Sequence, residues 1–305
     1  MHSSRKDNVL ALADNNLSKN RTLVFITTSL GTKWESYSQA LIARGYPNQT
    51  RIIVDGTQKW SALMFLDRAL EQDSDYTIHI DEDCFLYEPK QLDNLICYLE
   101  ANDDVVFAGI PDGGHYYRVH NPCACNLFFV VFKTEAVRRI LASNPDWKSL
   151  QFKDSYRVRA GLENVVLDRS RIAYDDYEPY YPFFWSILES GKRINYLDNR
   201  LDSDLFSTDV YFNGAKRPMA RHMWYLRSWE MKDCGPYDKL PNLERYRRLE
   251  NEIKLLFGHD LSFRKLLLRQ NVERLIRRTQ RKLARRFDAV SQILARLRTH
   301  NAKAG

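Results

Sequence analysis

"YTIHIDEDCFLY", residues 76–87, places three consecutive acids, Asp81, Glu82 and Asp83, inside a run that is otherwise mostly apolar or aromatic. The part before the acids has the β-branched and aromatic composition of a buried strand. Three neighbouring carboxylates at the end of such a strand repel one another and lose hydration, unless a positive ligand compensates them. The stretch therefore predicts a strand that ends at a site for a cation.

Strand and helix patterns alternate on both sides of this stretch. The predicted strands are residues 21–30, 50–57, 76–83, 104–110 and 126–132, and the predicted helices are residues 36–46, 60–72, 88–102 and 134–143. This alternation is typical of an α/β fold with a mainly parallel sheet that helices cover on both faces. Ligands bind such sheets outside the carboxyl ends of the strands. The acids lie at one of those ends, and Asp55, Thr27 and Thr28 lie at others.

Two of the three acids have the spacing that a divalent cation requires. In an extended backbone, residues i and i+2 point the same way, so Asp81 and Asp83 converge while Glu82 points elsewhere. Converging carboxylates suit a hard ion such as Mg²⁺ or Mn²⁺, which needs few protein ligands when phosphate oxygens complete its shell. The motif predicts a metal site that faces a phosphate.

Residues 21–235 resemble the GT-A fold family of nucleotide-sugar-dependent glycosyltransferases, of the bacterial surface-polysaccharide type. The resemblance rests on the apolar strand, the D-x-D motif Asp81-Glu82-Asp83 and the two preceding β-α units. It implies a Rossmann-type sheet and a Mn²⁺ or Mg²⁺ ion that bridges the diphosphate of a UDP- or GDP-sugar. Asp83 would be the principal metal ligand, and Asp81 would contact the ribose or, through water, the metal.

The same resemblance implies a donor site along the strand ends. Asp55 matches the acid that touches the nucleobase, and Thr27 and Thr28 match the first-strand loop over the nucleoside. Glu82 is a further candidate donor-binding residue. A haloacid-dehalogenase phosphatase also uses D-x-D after a strand, but it has Thr or Val where this chain has Phe85.

"AYDDYEPYYPFFWSILESGKRINYLD", residues 173–198, holds acids before a helix with an aromatic face. It resembles the segment of inverting GT-A enzymes in which an acid acts as general base on the acceptor hydroxyl. Asp176 is the preferred base, followed by Glu178, with Asp175 as the third candidate. The alternative is that these acids favour the macrodipole at a helix start. A retaining enzyme, which needs no such base, stays open.

Residues 214–230 contain one histidine among basic and aromatic side chains. Many GT-A enzymes use a late histidine as a metal ligand, which the resemblance assigns to His222. Lys216, Arg217 and Arg221 are candidates to hold the departing diphosphate, whose charge grows in the transition state. An ordinary structural histidine is the alternative for His222.

The loop "PDGGHYYRVHNPCACN", residues 111–126, follows a predicted strand and offers groups that could bind an acceptor sugar. The candidates are His115, Tyr116, Arg118 and His120. A plain connecting loop is the alternative, and Cys123 and Cys125 are interpreted as packing residues.

The C-terminal segment is strongly basic. Residues 261–305 carry 13 Lys and Arg residues against two acids, a balance of +11 in a chain of net charge +7, so the remainder is mildly acidic. Apolar residues recur in 261–300 at helical period, which predicts an amphipathic helix on an anionic membrane surface. Packing on its own domain or on a second copy is the alternative, and nucleic acid is disfavoured because no aromatic-basic platform accompanies the charge.

Composition limits the compartment and the organisation of the chain. The 305 residues, 44% of them hydrophobic, can form a real core, and the sequence shows neither a signal peptide nor an apolar run of about 18 residues. Five cysteines, an odd number, favour a reduced cytosolic chain. We expect a lead-in at 1–20, a glycosyltransferase domain at 21–235 and a basic helical extension at 236–305.

These observations predict a cytoplasmic enzyme, peripheral at the inner membrane face. It would move a sugar from a nucleotide-sugar donor to a hydroxyl of a glycan or lipid-linked acceptor, in surface polysaccharide or lipopolysaccharide assembly. Two alternatives are kept: a membrane- or nucleic-acid-binding protein with an inactive body, and a nucleotidyl or phosphoryl transferase.

Overall fold

The computed structural model describes residues 21–57, 62–113, 119–162, 172–202, 207–224, 226 and 242–301. The predicted lead-in at 1–20 and the predicted boundary at 235 lie outside these residues. The strands are β1 (Leu23–Ser29), β2 (Thr50–Asp55), β3 (Tyr76–Ile80), β4 (Cys84–Leu86), β5 (Val105–Pro111), β6 (Cys125–Lys133), β7 (Arg193–Tyr196), β8 (Asp198–Leu201), β9 (Ser207–Tyr211) and β10 (Ala220–Met223). The helices are α1 (Lys33–Gly45), α2 (Met64–Leu70), α3 (Pro89–Ala101), α4 (Thr134–Ser143), α5 (Ser155–Arg159), α6 (Tyr181–Glu189), α7 (Asn242–Phe257) and α8 (Leu261–Asn301).

The main sheet has the strand order β2-β1-β3-β6-β5-β7. The pairs β1·β2, β1·β3 and β5·β7 are parallel, which confirms the predicted α/β class with a mainly parallel sheet. One detail differs from the predicted alternation, because β6 runs antiparallel to both β3 and β5. No described helix lies between β5 and β6, and a parallel neighbour would need a crossover connection, which is usually helical.

A second, antiparallel sheet has the order β4-β10-β9-β8. Its strand β4 begins directly after Asp83, so the chain passes from the main sheet into the small one at the acidic triplet. This connection brings the late strand β10 beside the triplet.

Helices cover both faces of the main sheet, and aromatic side chains fill the core on the α6 face. Phe107 of β5 stacks on Phe132 of β6, with ring centroids 5.6 Å apart. Phe183 and Phe184 of α6 meet Phe107 edge to face. This explains why the apolar and aromatic run before Gly191 forms a helix that is buried along almost its whole length.

The C-terminal extension is helical, as predicted, and it packs on the α/β body. Leu249 and Ile253 of α7 and Phe263 of α8 lie in one buried cluster with Trp34 and Tyr37 of α1. Across the described residues, no helix combines the length and apolar character that a membrane span requires.

Candidate functional site

The three acids form a tight turn between β3 and β4. The Asp81 amide donates to the Phe128 carbonyl oxygen at 2.9 Å, and the Cys84 amide donates back to the Asp81 carbonyl oxygen at 3.0 Å. Although the backbone turns here, the side chains of Asp81 and Asp83 converge. Their carboxylate oxygens and a ring nitrogen of His222 lie within 4.8 Å of one another.

His222 reaches this place through strand pairing. In β10 it lies directly opposite Cys84 of β4, and the next amide, that of Met223, donates to the Asp83 carbonyl oxygen at 3.0 Å. The His222 ring stacks on Phe128 at 4.0 Å and meets Trp224 edge to face at 4.6 Å. These contacts point Nε2 at Asp83, with 3.4 Å between Nε2 and Oδ1.

These three residues, Asp81, Asp83 and His222, which we call the DDH cluster, fit a divalent cation. All three are buried, and they offer two carboxylates that follow the central strand β3 and one imidazole from β10. That donor set suits Mn²⁺ or Mg²⁺ and leaves positions of the ion's shell for phosphate oxygens or water. The adjacent thiol of Cys84 is a poor ligand: burial, and then the charges of Asp83 and Asp81, raise its pKa well above the usual range.

Glu82 points away from the DDH cluster and holds the loop between β1 and α1. Its side chain is fully buried, and its oxygens accept from the Ser29 hydroxyl at 2.7 Å and the amides of Leu30 at 3.0 Å and Thr32 at 3.3 Å. The structure therefore shows Glu82 as a support for the loop between β1 and α1.

His79 is a site residue that the sequence reasoning missed. Its Nδ1 donates to the Leu127 carbonyl oxygen at 2.6 Å, so in the neutral ring Nε2 accepts from the Thr28 hydroxyl at 3.0 Å. Nε2 also lies 3.8 Å from Oδ1 of Asp81. The alternation in "YTIHID" carries this signal, since His79 and Asp81 are two residues apart.

The two predicted threonines lie within the packed sheet. Thr28 is engaged with His79, and Thr27 is fully buried, where its hydroxyl accepts from Gln39 at 2.8 Å. Asp55 does lie at the open edge, after β2. Its Oδ1 accepts from the amide and hydroxyl of Thr57 at 2.9 and 2.6 Å.

The predicted phosphate-binding side chains are not brought to the DDH cluster. Lys216 and Arg217 are exposed in the turn before β10, where Arg217 lies 3.6 Å from Glu88. Arg221 precedes His222 in β10, and neighbours in a strand face opposite sides. Arg221 binds Asp209 at 2.6 and 3.0 Å.

Arg221 also binds Glu252 of α7 at 2.9 Å, so it ties the small sheet to the C-terminal extension. Burial opposes its charge, but the hydrogen bonds to Asp209 and the neighbouring acids outweigh burial, so the pKa of Arg221 is raised. This arginine has the surroundings of a structural residue.

We therefore expect Arg221→Ala to lower the free energy of unfolding by about 3 kcal/mol, because it removes the cation bound to buried Asp209, whereas Glu252 keeps Arg248 at 3.3 Å. Urea unfolding measures this change. Arg217→Ala is the matched control: the Arg217 side chain is 83% exposed, so its loss should change the free energy of unfolding by close to zero. If Arg221→Ala instead keeps full stability and loses only nucleotide affinity, the diphosphate role is the correct one.

The three candidate bases have different surroundings. Both oxygens of Asp176 accept from the Phe152 amide, at 2.9 and 3.0 Å, and Oδ1 also accepts from the Trp185 indole at 2.7 Å. Asp175 lies 3.4 Å from Nδ1 of His120, whose ring stacks on Tyr177 at 3.9 Å. Glu178, the third candidate, stands just before α6.

The structure thus brings one predicted acceptor residue, His120, to one predicted base, Asp175. The other predicted acceptor residues, His115, Tyr116 and Arg118, lie outside the described residues.

Buried Asp112, which the sequence reasoning also missed, anchors this region to the strand ends. It follows β5 and accepts from the Tyr181 hydroxyl at 2.5 Å and the Asn126 amide group at 2.8 Å. The backbone N–H of Asn121 donates to the same Tyr181 hydroxyl at 3.4 Å, and its side chain donates to the Asp175 carbonyl oxygen at 3.0 Å. The candidate bases therefore belong to the same edge of the sheet as the DDH cluster.

No family model matches this chain, and no curated protein matches its sequence. Among solved structures, it is similar to the mannosyltransferase PcManGT from Pyrobaculum calidifontis in complex with GDP-Man and Mn²⁺, with a TM-score of 0.37, 12% identity and coverage of 86% of this chain and 76% of that one. A glycosyltransferase involved in the glycosylation of the major capsid of PBCV-1 has a TM-score of 0.30 and 12% identity, over 55% of this chain and 91% of that one.

Glucosyl-3-phosphoglycerate synthase from Mycobacterium tuberculosis, in complex with Mn²⁺, UDP-Glc and phosphoglyceric acid, has a TM-score of 0.26 and 15% identity, over 51% of this chain and 69% of that one. At these TM-scores the likenesses do not establish function, which has to be inferred from the residues of the site.

Proposed function

We propose that this chain is a metal-dependent transferase that acts on a nucleotide-linked donor. More particularly, it is a glycosyltransferase that moves a sugar from a UDP- or GDP-sugar to a hydroxyl of a glycan or lipid-linked acceptor. The DDH cluster carries this proposal, because it joins two buried carboxylates and an imidazole at the carboxyl end of a central strand.

Each part of the site has a stated task in that reaction. Asp81, Asp83 and His222 would hold Mn²⁺ or Mg²⁺, whose charge stabilises the diphosphate leaving group. His79 lies behind Asp81 and binds the Thr28 hydroxyl, and Glu82 fixes the loop at the end of β1. These residues prepare the donor side before an acceptor arrives.

The acceptor side lies near His120, and an inverting reaction needs a base there. Asp176 is a weak candidate, because both of its oxygens already accept hydrogen bonds that hold the local structure. We therefore place the base at Asp175 or Glu178, with His120 beside the acceptor. A retaining reaction is the alternative, in which replacing either acid would leave most of the turnover.

Product analysis tests this function. The chain is incubated with UDP-, GDP- and CMP-sugars and, separately, with nucleoside triphosphates, each with Mn²⁺ or with EDTA, and the released nucleotide or pyrophosphate is identified. A glycosyltransferase using UDP- or GDP-sugars releases the nucleoside diphosphate only with the metal. Release of pyrophosphate from a nucleoside triphosphate would support nucleotidyl transfer instead, and binding without any turnover would support an inactive body.

We also propose that α8 contacts an anionic membrane surface, which would bring the enzyme to a lipid-linked acceptor in surface polysaccharide or lipopolysaccharide assembly. Large apolar side chains are exposed along one face of α8: Leu268, Val272, Leu275, Ile276, Leu283 and Phe287. Exposed basic residues lie among them and beside them, which matches the charge of such a surface: Lys265, Arg269, Lys282 and Arg286. We call these apolar residues the outer stripe.

The expected result is co-sedimentation with vesicles of anionic lipid and weak binding to neutral vesicles. The double variant Leu283→Asp, Phe287→Asp should reduce binding about tenfold or more, since it removes apolar burial and adds negative charge. Leu255→Asp on α7, where Leu255 is highly exposed, is the matched control. A different result would be that wild type does not bind anionic vesicles and is a dimer in ultracentrifugation, whereas the double variant is a monomer. The outer stripe would then be an interface between copies.

A further inference from the structure

The face of α8 that packs on the body is lined by arginines. Arg274, Arg277, Arg281 and Arg285 recur every three or four residues, so they share one side of the helix, opposite the outer stripe. Arg274 donates to the Gly31 carbonyl oxygen at 3.1 Å, and Arg277 donates to Glu35 at 2.5 Å. The basic charge of the C-terminal segment is therefore partly directed at the body.

The next two arginines meet the end of β2. Nε of Arg281 lies 3.2 Å from Oδ2 of Asp55, and Arg285 donates to the Thr57 hydroxyl at 2.5 Å. Thr57 in turn donates to Oδ1 of the same Asp55. Arg281 and Arg285 thus contact Asp55 and Thr57, which are hydrogen-bonded to each other in the turn after β2.

The contact of Arg281 with Asp55 goes together with a close approach of α8 to the loop after β1. Gly31 has φ +77°, and a Cβ there would lie 3.4 Å from a guanidinium nitrogen of Arg281. Arg281 is also mostly covered, with 17% of its side chain exposed. Arg281 thus lies close to the loop as well as to Asp55.

Asp55 and the DDH cluster lie along one edge of the sheet. Asp55 pairs with Ser29 across β1 and β2, and β1 pairs with β3, which leads into Asp81. Two strand spacings separate the two ends, about 10 Å, a length that a nucleoside diphosphate spans. With the diphosphate at the DDH cluster, the nucleobase falls beside Asp55.

The contacts of Asp55 leave its carboxylate able to accept a hydrogen bond from a nucleobase. A carboxylate offers about four lone-pair sites. Thr57 uses two on Oδ1, and Arg281 lies beside Oδ2 as an ion-pair partner, so Oδ2 can still accept from a nucleobase N–H.

We propose that α8 completes the nucleobase subsite: Arg281 is a positioning residue that aims Asp55 at the base of the donor, and Arg285 fixes the neighbouring Thr57. The inference rests on the proposed function, since it takes a nucleoside diphosphate as the ligand. It assigns the C-terminal helix a role in donor recognition in addition to its outer stripe.

The test measures binding of UDP, GDP and inorganic pyrophosphate to the full chain in Mn²⁺ by calorimetry. Arg281→Ala should weaken the better nucleotide roughly tenfold or more, as expected for losing a charge-assisted contact, and leave pyrophosphate unchanged, because pyrophosphate has no base. Arg281→Lys should recover part of the loss, since a lysine keeps the charge without the planar fork. Arg285→Ala, at an exposed position that cannot unfold the chain, should show a smaller loss of the same kind.

Arg278, exposed on the same helix and outside the outer stripe, serves as the matched control: Arg278→Ala removes the same charge and should leave nucleotide and pyrophosphate affinity unchanged. Unchanged nucleotide affinity in Arg281→Ala and Arg285→Ala would overturn the inference, and so would tighter binding, which would make α8 an obstruction. If wild type binds neither nucleotide, or Asp83→Ala binds as wild type does, the proposed function fails and this inference fails with it.

Discussion

Under the proposed function, replacing Asp83 by alanine will abolish the metal dependence of nucleotide binding and reduce sugar transfer about a thousandfold. Asp83 is fully buried, and it is the acid closest to His222 in the DDH cluster. Without it, the cluster keeps one carboxylate and one imidazole, too few to hold a hard divalent ion against water. Calorimetric titration of UDP and GDP, with and without Mn²⁺, measures the loss of binding, and release of the nucleoside diphosphate measures the loss of turnover.

The sharpest control replaces another buried acid of the same edge by its isosteric amide. Asp112→Asn changes a fully buried carboxylate that Tyr181 and Asn126 engage, whereas Asp83→Asn changes one within the DDH cluster. Only the second should lose the response to Mn²⁺. Equal behaviour of the two variants would show that the DDH cluster holds no catalytic ion and that the three acids are a structural turn.

Glu82→Gln will destabilise the fold by about 3 kcal/mol although it changes a single atom of the side chain. Both oxygens of Glu82 accept hydrogen bonds from the loop of Ser29, Leu30 and Thr32. In the glutamine variant, one carboxylate oxygen becomes an NH₂ group that faces a hydrogen-bond donor. The variant also loses the negative charge that accepts the hydrogen bonds of the buried loop. Urea unfolding at pH 7 measures the change.

Glu88→Gln is the matched control, because Glu88 is partly exposed and its partner Arg217 is mostly solvated, so the change should stay within about 0.5 kcal/mol. A Glu82→Gln variant of normal stability that loses nucleotide affinity would instead make Glu82 a donor ligand, as the resemblance implies.

The main-sheet elements up to α4 could be predicted from sequence because their signals are local. The run predicted as strand 21–30 forms β1 at Leu23–Ser29, and the helix predicted at 134–143 forms α4 at Thr134–Ser143. The convergence of Asp81 and Asp83 was predicted from an extended backbone. It occurs in a turn after Ile80, where the strand ends earlier than predicted.

The remaining features depend on segments that are distant in the sequence. The antiparallel direction of β6 depends on the connection from β5 to β6. The supporting role of Glu82 depends on its hydrogen bond to Ser29, 53 residues away in the sequence. The contact of Arg285 with Thr57 joins positions 228 residues apart. Helical period in 261–300 predicted α8, but the arginine face packs inward while the outer stripe is exposed, which reverses the usual burial of an amphipathic helix.

The pairing of β10 with β4 makes the DDH cluster sensitive to chain length in one short segment. Because successive side chains of a strand face opposite sides, a single residue inserted between Met219 and Arg221 would exchange the environments of Arg221 and His222. A guanidinium would then enter the cluster, and the imidazole would face Asp209 and Glu252. Residues 213–218 precede β10, so length changes there leave the register intact. Among natural variants of this protein, insertions and deletions should therefore be found in that turn and be missing from Met219 to Met223.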